Sequence, residues 1–203
     1  MINPLHYEGV LYNQGYKTIG GIDEAGRGPL AGPVVACALV FPQGLVIDGV
    51  DDSKKLSAKK RMELCKTIKE CALSIGIGFV DAQTIDEINI LLATLLAMQR
   101  AASNMGIKPD AFIIDGTHKP DIESAYCLCL PKADSLSHTV AAASIIAKTE
   151  RDTYMESIHN KYPQYGFGIH KGYGTKAHIE AIKKFGSCAE HRESFKVKRL
   201  IHG

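Results

Sequence analysis

The chain has 203 residues, 45% of them hydrophobic and 23% charged, and a formal net charge of +2. This near-average composition excludes a disordered chain and a coiled coil, and the length suits one domain with a full core. No apolar run reaches the roughly 18 residues of a membrane span, and the first residues lack the order of a secretory signal. We therefore expect residues 1–203 to form a single cytoplasmic domain.

Apolar periodicity and capping residues predict alternating strands and helices. In chain order these are strands over 17–23 and 33–41, a helix over 57–71, a strand over 73–80, a helix from Thr84 to near Gly106, strands over 111–116 and 125–130, and helices over 137–160 and 175–184. The second strand is apolar at nearly every position, as is typical of a strand covered by helices on both faces. This order predicts a mixed α/β layered fold, whose exact topology the pattern alone leaves open.

The C-terminal end is basic. Residues 170–203 contain eight Lys or Arg residues against three Glu residues. Such a concentration of positive charge indicates a phosphate-facing surface, with a solvated helix face and a basic tail as the alternative. Six cysteines stand at irregular spacings without a C-x-x-C pair, which favours reduced, mostly buried thiols over zinc ligands or disulfides.

Four acidic residues adjoin the predicted strands. Asp23 and Glu24 are adjacent in a glycine-rich turn, Asp115 ends a strand, and Asp134 stands at a strand exit just before a helix. Strand ends are where α/β sheets collect ligands. Because neighbouring strand residues point to opposite faces, Asp23 and Glu24 are expected to share a site only if the strand ends at Asp23 and the chain then bends.

Four acids brought together would repel one another unless cations compensate. Oxygen ligands suit Mg²⁺ or Mn²⁺, and a pair of such ions can activate water and stabilise a leaving oxygen at a phosphodiester. Taken one at a time, each acid has a structural alternative as a turn or capping residue. The sequence therefore indicates a metal site without excluding these alternatives.

Residues 26–33 form a loop with three glycines and two prolines. Its backbone can approach a ligand closely, and Arg27 can pair with phosphate. The loop matches neither G-x-x-x-x-G-K-[ST] nor G-x-G-x-x-G, so a nucleotide-binding interpretation is weak. A plain turn between strands remains the alternative.

Seven segments in order carry a resemblance to a known family. They are residues 21–34, 52–56, 114–116, 132–134, 142–148, 170–175 and 191–195. With these segments the chain resembles ribonuclease HII over essentially its whole length. The resemblance implies an RNase H-like fold, a mixed five-stranded sheet flanked by helices, with a helical and basic C-terminal extension over about 160–203.

The resemblance also implies roles for particular residues. The metal ligands and catalytic acids would be Asp23, Glu24, Asp115 and Asp134. Gly26, Arg27 and Gly28 would grip the ribonucleotide 2′-hydroxyl and the adjoining phosphates, which suits the fact that this hydroxyl distinguishes RNA from DNA. Tyr173, which follows Lys171 in the segment 170–175, would stack near the RNA–DNA junction.

Further candidates for substrate binding are Ser144, Lys148 and Lys171. Ser144 and Lys148 lie four residues apart, on one helix face, where they would meet the nucleic-acid backbone. Core packing of Ser144 and solvation of Lys148 are equally good interpretations. Asp152 is either an acid supporting the metal site or the ion-pair partner of Lys148.

The implied activity is in-line hydrolysis on the 5′ side of a ribonucleotide by a metal-activated water, leaving a 3′-hydroxyl and a 5′-phosphate. The expected cofactors are two Mn²⁺ or Mg²⁺ ions, and the expected partners are RNA–DNA hybrids and duplex DNA with embedded ribonucleotides. We expect a monomer that does not bind membranes. The cellular metal, the preference between lone ribonucleotides and long hybrids, and a sliding-clamp partner remain open.

Three other functions compete with this one. A catalytically inactive hybrid binder is disfavoured because clustered acids do not help to bind phosphate. A type HIII ribonuclease is disfavoured by Arg27, by Tyr173 and by the lack of a long extra N-terminal domain. A phosphotransferase would need the P-loop lysine, which the glycine-rich loop lacks.

Overall fold

The computed structural model describes residues 3–195, which form a five-stranded sheet flanked by six helices. The helices are α1 His6–Asn13, α2 Ala58–Cys71, α3 Ala82–Ser103, α4 His138–Lys161, α5 Phe167–His170 and α6 Lys176–Phe185. The strands are β1 Ile19–Ala25, β2 Val34–Val40, β3 Ser74–Val80, β4 Ala111–Asp115 and β5 Tyr126–Leu130. The predicted mixed sheet with flanking helices is thereby confirmed.

The strand order is β3-β2-β1-β4-β5. The first three strands form an antiparallel meander, and β4 and β5 run parallel to β1. The central strand β1 pairs with β2 as far as Ala25 but with β4 only as far as Ile22. Beyond Ile22 there is therefore an opening between β1 and the end of β4.

Helices cover both faces of the sheet. Successive β2 residues alternate between two apolar clusters, because Ala36 and Ala38 pack with α3 whereas Cys37 and Leu39 pack with α2 and α4. Every residue of β2 is buried, as its continuous apolar pattern predicts. Leu64, Cys65 and Ile68 are the buried residues of α2, whereas Met62 of the same helix is 48% exposed.

Most predicted helix starts are confirmed. Ser57, Ser137 and Thr175 each cap a helix by accepting a hydrogen bond from a backbone amide three residues later. The start predicted at Thr84 is wrong, because Asp81 accepts from the Thr84 amide and so begins α3 one turn earlier. Helix α3 is also broken at Asn89, which has a φ of 69°.

Helices lie at both ends of the described chain, and only those at the C-terminal end were predicted. Helix α1 was not predicted, and its buried Glu8 accepts from the Ser137 hydroxyl and the Thr139 amide at the start of α4. Helices α5 and α6 confirm the helical C-terminal region, while Lys196, Lys198 and Arg199 lie outside the described residues. All six cysteines are free, but the prediction that most of them are buried is wrong, because only Cys37 and Cys65 are buried and the other four are partly exposed. Within residues 3–195, no helix is both long and apolar enough to cross a membrane.

Candidate active site

Three carboxylates meet at the opening beside β1. Asp23 and Glu24 lie in β1, and Asp115 is the last residue of β4. One carboxylate oxygen from each lies within 4.8 Å of the others. The prediction that the strand ends at Asp23 is wrong, since β1 continues to Ala25. The acids can nevertheless converge because the β1–β4 pairing stops one residue before Asp23.

This cluster is unfavourable for negative charge. Burial raises the pKa of Asp23 well above its ordinary value, and Glu24 and Asp115 raise it further. Burial also raises the pKa of Glu24, against the effect of Arg27, whose Nη1 lies 3.5 Å from Glu24 Oε1. The pKa of Asp115 is raised by burial as well, although the Ala133 amide donates to its carboxylate at 2.7 Å.

The donor set fits a hard divalent cation. All three groups offer carboxylate oxygens, the ligands that Mg²⁺ and Mn²⁺ prefer. The Oε2 atom of Glu24 is buried and has no hydrogen-bond partner among the described residues. A cation would supply the missing partner and relieve the repulsion among the three acids.

The fourth predicted ligand, Asp134, lies beside this group and is not one of the three. It belongs to a 3-10 turn over Ala133–Ser135, where its Oδ2 accepts from Lys54 Nζ at 3.1 Å. The turn is tied to the cluster because Ala133 binds Asp115, and the charge of Asp134 raises the pKa of Asp115. Lys54 therefore supplies positive charge next to the acids.

Lys54 belongs to segment 52–56, to which the sequence analysis assigned no site role. Its neighbour Ser53 is hydrogen-bonded through Oγ to Ser144 Oγ at 2.8 Å, which places the buried Ser144 beside the acids. Arg61 of α2 donates to the carbonyls of Ser53 and Leu56. The family resemblance of segment 52–56 was the only signal in the sequence that could have pointed to it.

The two predicted lysines differ in position. Lys148 lines the same cleft as the acids, and its Nζ binds Asp152 Oδ1 at 2.6 Å, which confirms the ion-pair interpretation. Burial lowers the pKa of Lys148. Lys171 is not among the residues lining the cleft, because its Nζ binds Glu156 Oε1 at 2.7 Å and the Gly168 carbonyl.

The glycine-rich loop 26–33 is held from beneath by two buried arginines. Arg192 donates to the carbonyls of Gly26, Arg27, Pro29 and Gly32 at 2.6 to 3.0 Å. Arg151 of α4 donates to the carbonyls of Pro33, Ala31 and Lys171 at 3.0 to 3.1 Å. Gly26, with a φ of 100°, leaves room for Arg151, because a Cβ there would collide with its Nε.

The hydrogen bonds from Arg192 set the direction of the loop amides. In a trans peptide the carbonyl and the following N–H point in opposite directions. Since the carbonyls of Gly26 and Arg27 point at Arg192, the amides of Arg27 and Gly28 point away from it. Neither amide has a hydrogen-bond acceptor within residues 3–195. They are donors available to a ligand.

Burial lowers the pKa of Arg192 to about 9, and no carboxylate in the described part of the chain lies within 4.0 Å of Arg192 or Arg151. The loop therefore sits above two positive charges whose direct hydrogen-bond partners are backbone carbonyls, with Asp86 and Asp152 acting on them only from farther away. Arg192 lies in segment 191–195, one of the seven segments that carry the family resemblance, but no role for it was predicted. A buried arginine that binds only carbonyls cannot be recognised without knowing which loop it contacts.

A cleft of about 290 Å³ brings these groups together. Its lining residues are Asp23, Glu24, Ala25, Gly26, Arg27, Gly28, Ser53, Lys54, Asp115, Ser144, Lys148 and Tyr173. The ring of Tyr173 is 46% exposed and borders the loop at Gly28. A larger cavity of about 580 Å³ is lined by Lys108, Asp121 and Glu123 among others, and shares no residue with the acid cluster.

The fold has counterparts among solved structures. The chain superposes with a TM-score of 0.71 and 27% identity on the structure of the PCNA:RNase HII complex from Archaeoglobus fulgidus, covering 90% of this chain and 96% of that one. It superposes with a TM-score of 0.68 and 25% identity on Bst-RNase HIII in complex with Mn²⁺, and the match covers 83% of this chain and 63% of that one. The sheet and its carboxylates thus define an endoribonuclease of the metal-dependent RNase H class.

The sequence comparisons narrow this class. The family model described as Ribonuclease HII matches residues 20–198. The Ribonuclease HII of Syntrophus aciditrophicus (strain SB) is 50% identical over 198 residues, which cover 98% of this chain and 93% of that protein. The chain belongs to the ribonuclease HII family.

Proposed function

We propose that this endoribonuclease hydrolyses the RNA strand of RNA–DNA hybrids and also cuts on the 5′ side of ribonucleotides embedded in duplex DNA. The observation that carries the proposal is that one cleft holds both the acid cluster and the amides of Arg27 and Gly28, which have no acceptor within residues 3–195. The acids account for cutting, and the amides account for recognition of the ribonucleotide.

Asp23, Glu24 and Asp115 would hold divalent cations, Mn²⁺ or Mg²⁺, and Asp134 would complete a site for two of them. The Mn²⁺ complex of Bst-RNase HIII supports manganese as one of the ions. When bound, such cations activate water and stabilise the leaving oxygen of a phosphodiester. Lys54, which binds Asp134 and has a mostly exposed side chain, would offer a positive charge to substrate phosphate beside the acids.

The loop supplies the specificity. Amides that point out of a loop held by two buried arginines are suited to bind a phosphate and the oxygen of a 2′-hydroxyl. The side chain of Arg27 is half exposed and adds a guanidinium for phosphate. Tyr173 would stack on the sugar or base at the junction, since an exposed rigid ring is suited to such contacts.

The helix α4 side of the cleft would contact the nucleic-acid backbone. Ser144 offers a hydroxyl beside Ser53, and Lys148 lines the cleft with a charge shared with Asp152. Lys171 would act differently from the prediction, by anchoring its own segment to Glu156 of α4. The products would carry a 3′-hydroxyl and a 5′-phosphate, because the attack replaces the bond to the 3′ oxygen.

Cleavage-site mapping tests this function. Three duplexes of one sequence would carry no ribonucleotide, one ribonucleotide or four consecutive ribonucleotides, each assayed with Mg²⁺ and with Mn²⁺. We expect no cleavage of the all-DNA duplex, and cleavage on the 5′ side of the lone ribonucleotide with the stated end groups. Cleavage of the four-ribonucleotide duplex alone would reject the activity on embedded ribonucleotides.

A further inference from the structure

Three histidines lie beneath the segment that carries Tyr173. His170 and His178 are stacked with ring centroids 4.4 Å apart, and His178 Nε2 lies 3.1 Å from His191 Nε2. His178 is fully buried, and His191 is 7% exposed. None of the three lines the cleft with the acids.

The hydrogen bonds assign one neutral tautomer to each ring. His191 Nδ1 accepts from the Cys188 amide at 2.9 Å, so its proton is on Nε2 and is donated to His178 Nε2. His178 must then carry its proton on Nδ1, which donates to the Tyr173 carbonyl at 2.9 Å. His170 Nδ1 accepts from the Gly172 amide, so its Nε2–H donates to the Tyr165 carbonyl at 2.7 Å.

Every imidazole nitrogen in this cluster therefore has a partner of the right kind. The chain of bonds runs in one direction, from the Cys188 amide through His191 and His178 to the Tyr173 carbonyl. A second proton on His191 or His178 would put two donors face to face and break it. Burial favours the neutral rings, since it lowers the pKa of all three, that of His178 to about 4.

The surroundings show that packing alone does not require these side chains. His178 and His191 lie against Phe167, and His191 also contacts Tyr165, so an apolar residue would fill the same space. Burying imidazoles costs free energy unless their nitrogens are paired. The polar rings bring instead a fixed bond to the backbone of Tyr173.

We propose that His178 is a positioning residue for Tyr173, with His191 fixing the His178 tautomer that donates to the Tyr173 carbonyl. The carbonyl also accepts from the Thr175 amide, and the Tyr173 amide donates to His170, so the backbone on both sides of the ring is held. This inference rests on the proposed stacking function of Tyr173.

Two substitutions separate the two bonds of His178. In His178→Asn, the amide can occupy the place of Nδ1 and still donate to Tyr173, while the bond to His191 is lost. In His178→Gln, the amide reaches the place of Nε2 and keeps the His191 contact, while the bond to Tyr173 is lost. We expect kcat/KM on the one-ribonucleotide duplex to fall about five- to tenfold in His178→Gln, the worth of one hydrogen bond, and to be largely retained in His178→Asn.

A double-mutant cycle with Tyr173→Ala separates positioning from general stability. If His178 acts through Tyr173, His178→Gln has no further effect on kcat/KM once the ring is removed. Equal effects with and without the ring would overturn the positioning role. If Tyr173→Ala alone cleaves like the wild type, the proposed function of Tyr173 fails, and the role of His178 fails with it.

Two further measurements distinguish the proposed role of His178 from a general loss of stability in the variants. His138→Gln is the matched control, because this buried histidine accepts only from the Ile47 amide, outside the cluster, and should lower Tm without changing kcat/KM. Nitrogen-15 NMR of the wild-type imidazoles needs no substitution. It should show a proton on Nδ1 of His178 and on Nε2 of His170 and His191, and any other tautomer of His178 or His191 would overturn the proposal.

Discussion

The acids of the cleft are placed where their charge costs stability. Asp23 is 3% exposed, and Glu24 and Asp115 lie close enough to raise its pKa. Such a cluster is retained at the expense of stability because it binds something that a well-packed apolar group would not. Opposite effects on stability and activity are therefore expected when one acid is neutralised.

Asp23→Asn should abolish cleavage of the one-ribonucleotide duplex and also stabilise the metal-free protein. Removing one buried negative charge should raise the free energy of unfolding in EDTA by on the order of 1 kcal/mol, the usual size of a single-residue effect. Urea unfolding and cleavage assays provide the measurements. Asp51→Asn is the control, since Asp51 forms a surface ion pair with Lys55 and should change neither. Full cleavage by Asp23→Asn would contradict a ligand role.

As pH falls, Mn²⁺ binding should weaken at a higher pH than it would at carboxylates with ordinary pKa values. The pKa values of Asp23, Glu24 and Asp115 are raised, so protons compete with the metal at pH values above the usual range of Asp and Glu. Affinity should be complete above these raised pKa values and be lost as pH falls through them. Calorimetric titration with Mn²⁺ from pH 8 to pH 5 measures this, and a flat profile down to pH 5 would contradict it.

At the scale of elements, loops and helix ends are shaped by a few polar contacts. Residues 26–33 obtain their conformation from Arg192 and Arg151, which approach from the C-terminal segment and from α4. Helix α3 restarts at Asn89, whose Oδ1 accepts from the amides of Leu91 and Leu92. Leu91 lines a groove next to Glu24 and Asp115, so the break in α3 shapes the rim of the site.

Replacing Arg192 with methionine should unfold the loop locally and weaken cleavage. Four loop carbonyls would lose their donors, which should lower the free energy of unfolding by about 3 kcal/mol. Urea unfolding measures the stability, and kcat/KM on the one-ribonucleotide duplex measures the site. Arg100→Met removes one exposed bond to the Phe79 carbonyl and should cost under about 1 kcal/mol. Equal losses in the free energy of unfolding for both variants would contradict the role of Arg192 in holding the loop.

Asn89→Ala should destabilise the protein, whereas Asn89→Gly should not. The residue has φ 69° and ψ 165°, a region open almost only to glycine, and its side chain caps the second part of α3. Alanine loses the cap and keeps the strain, so the cost relative to the wild type is that of the cap, about 1 kcal/mol. Glycine loses the cap but removes the strain, so its melting temperature should stay near that of the wild type. Similar losses for both would show that capping dominates.

At the scale of the whole molecule, metal binding and folding should be linked. The acids come from β1 and β4, and Lys54 and Tyr173 reach the same cleft from distant segments, so the site exists only in the folded chain. A ligand that binds the folded state alone stabilises it by mass action.

Saturating Mn²⁺ should therefore raise the melting temperature. At one hundred times the dissociation constant the gain should be about 2.7 kcal/mol, from the mass-action relation. Differential scanning calorimetry with Mn²⁺ and with EDTA measures the shift. The same experiment on Asp23→Asn should show little or no shift, and an undiminished shift would place the metal elsewhere.

The resemblance of seven segments to a known family pointed to four acids, of which the fold brings three together. The sequence by itself determined the strands and the major helices. Local signals suffice for these features, because β2 is apolar at every position and Ser57, Ser137 and Thr175 cap their helices through short-range bonds. Local signals also misled at Thr84, where an equally good cap stood three residues earlier at Asp81.

Only the tertiary structure decided which side chains meet. Asp23 and Glu24 share a site because the pairing of β1 with β4 stops at Ile22, which depends on the register between strands about ninety residues apart. Arg192 and His178 act on the loop and on Tyr173 through bonds to backbone carbonyls, which any residue offers and no sequence pattern marks. Local patterns determine elements, whereas the register and packing of distant segments determine the site.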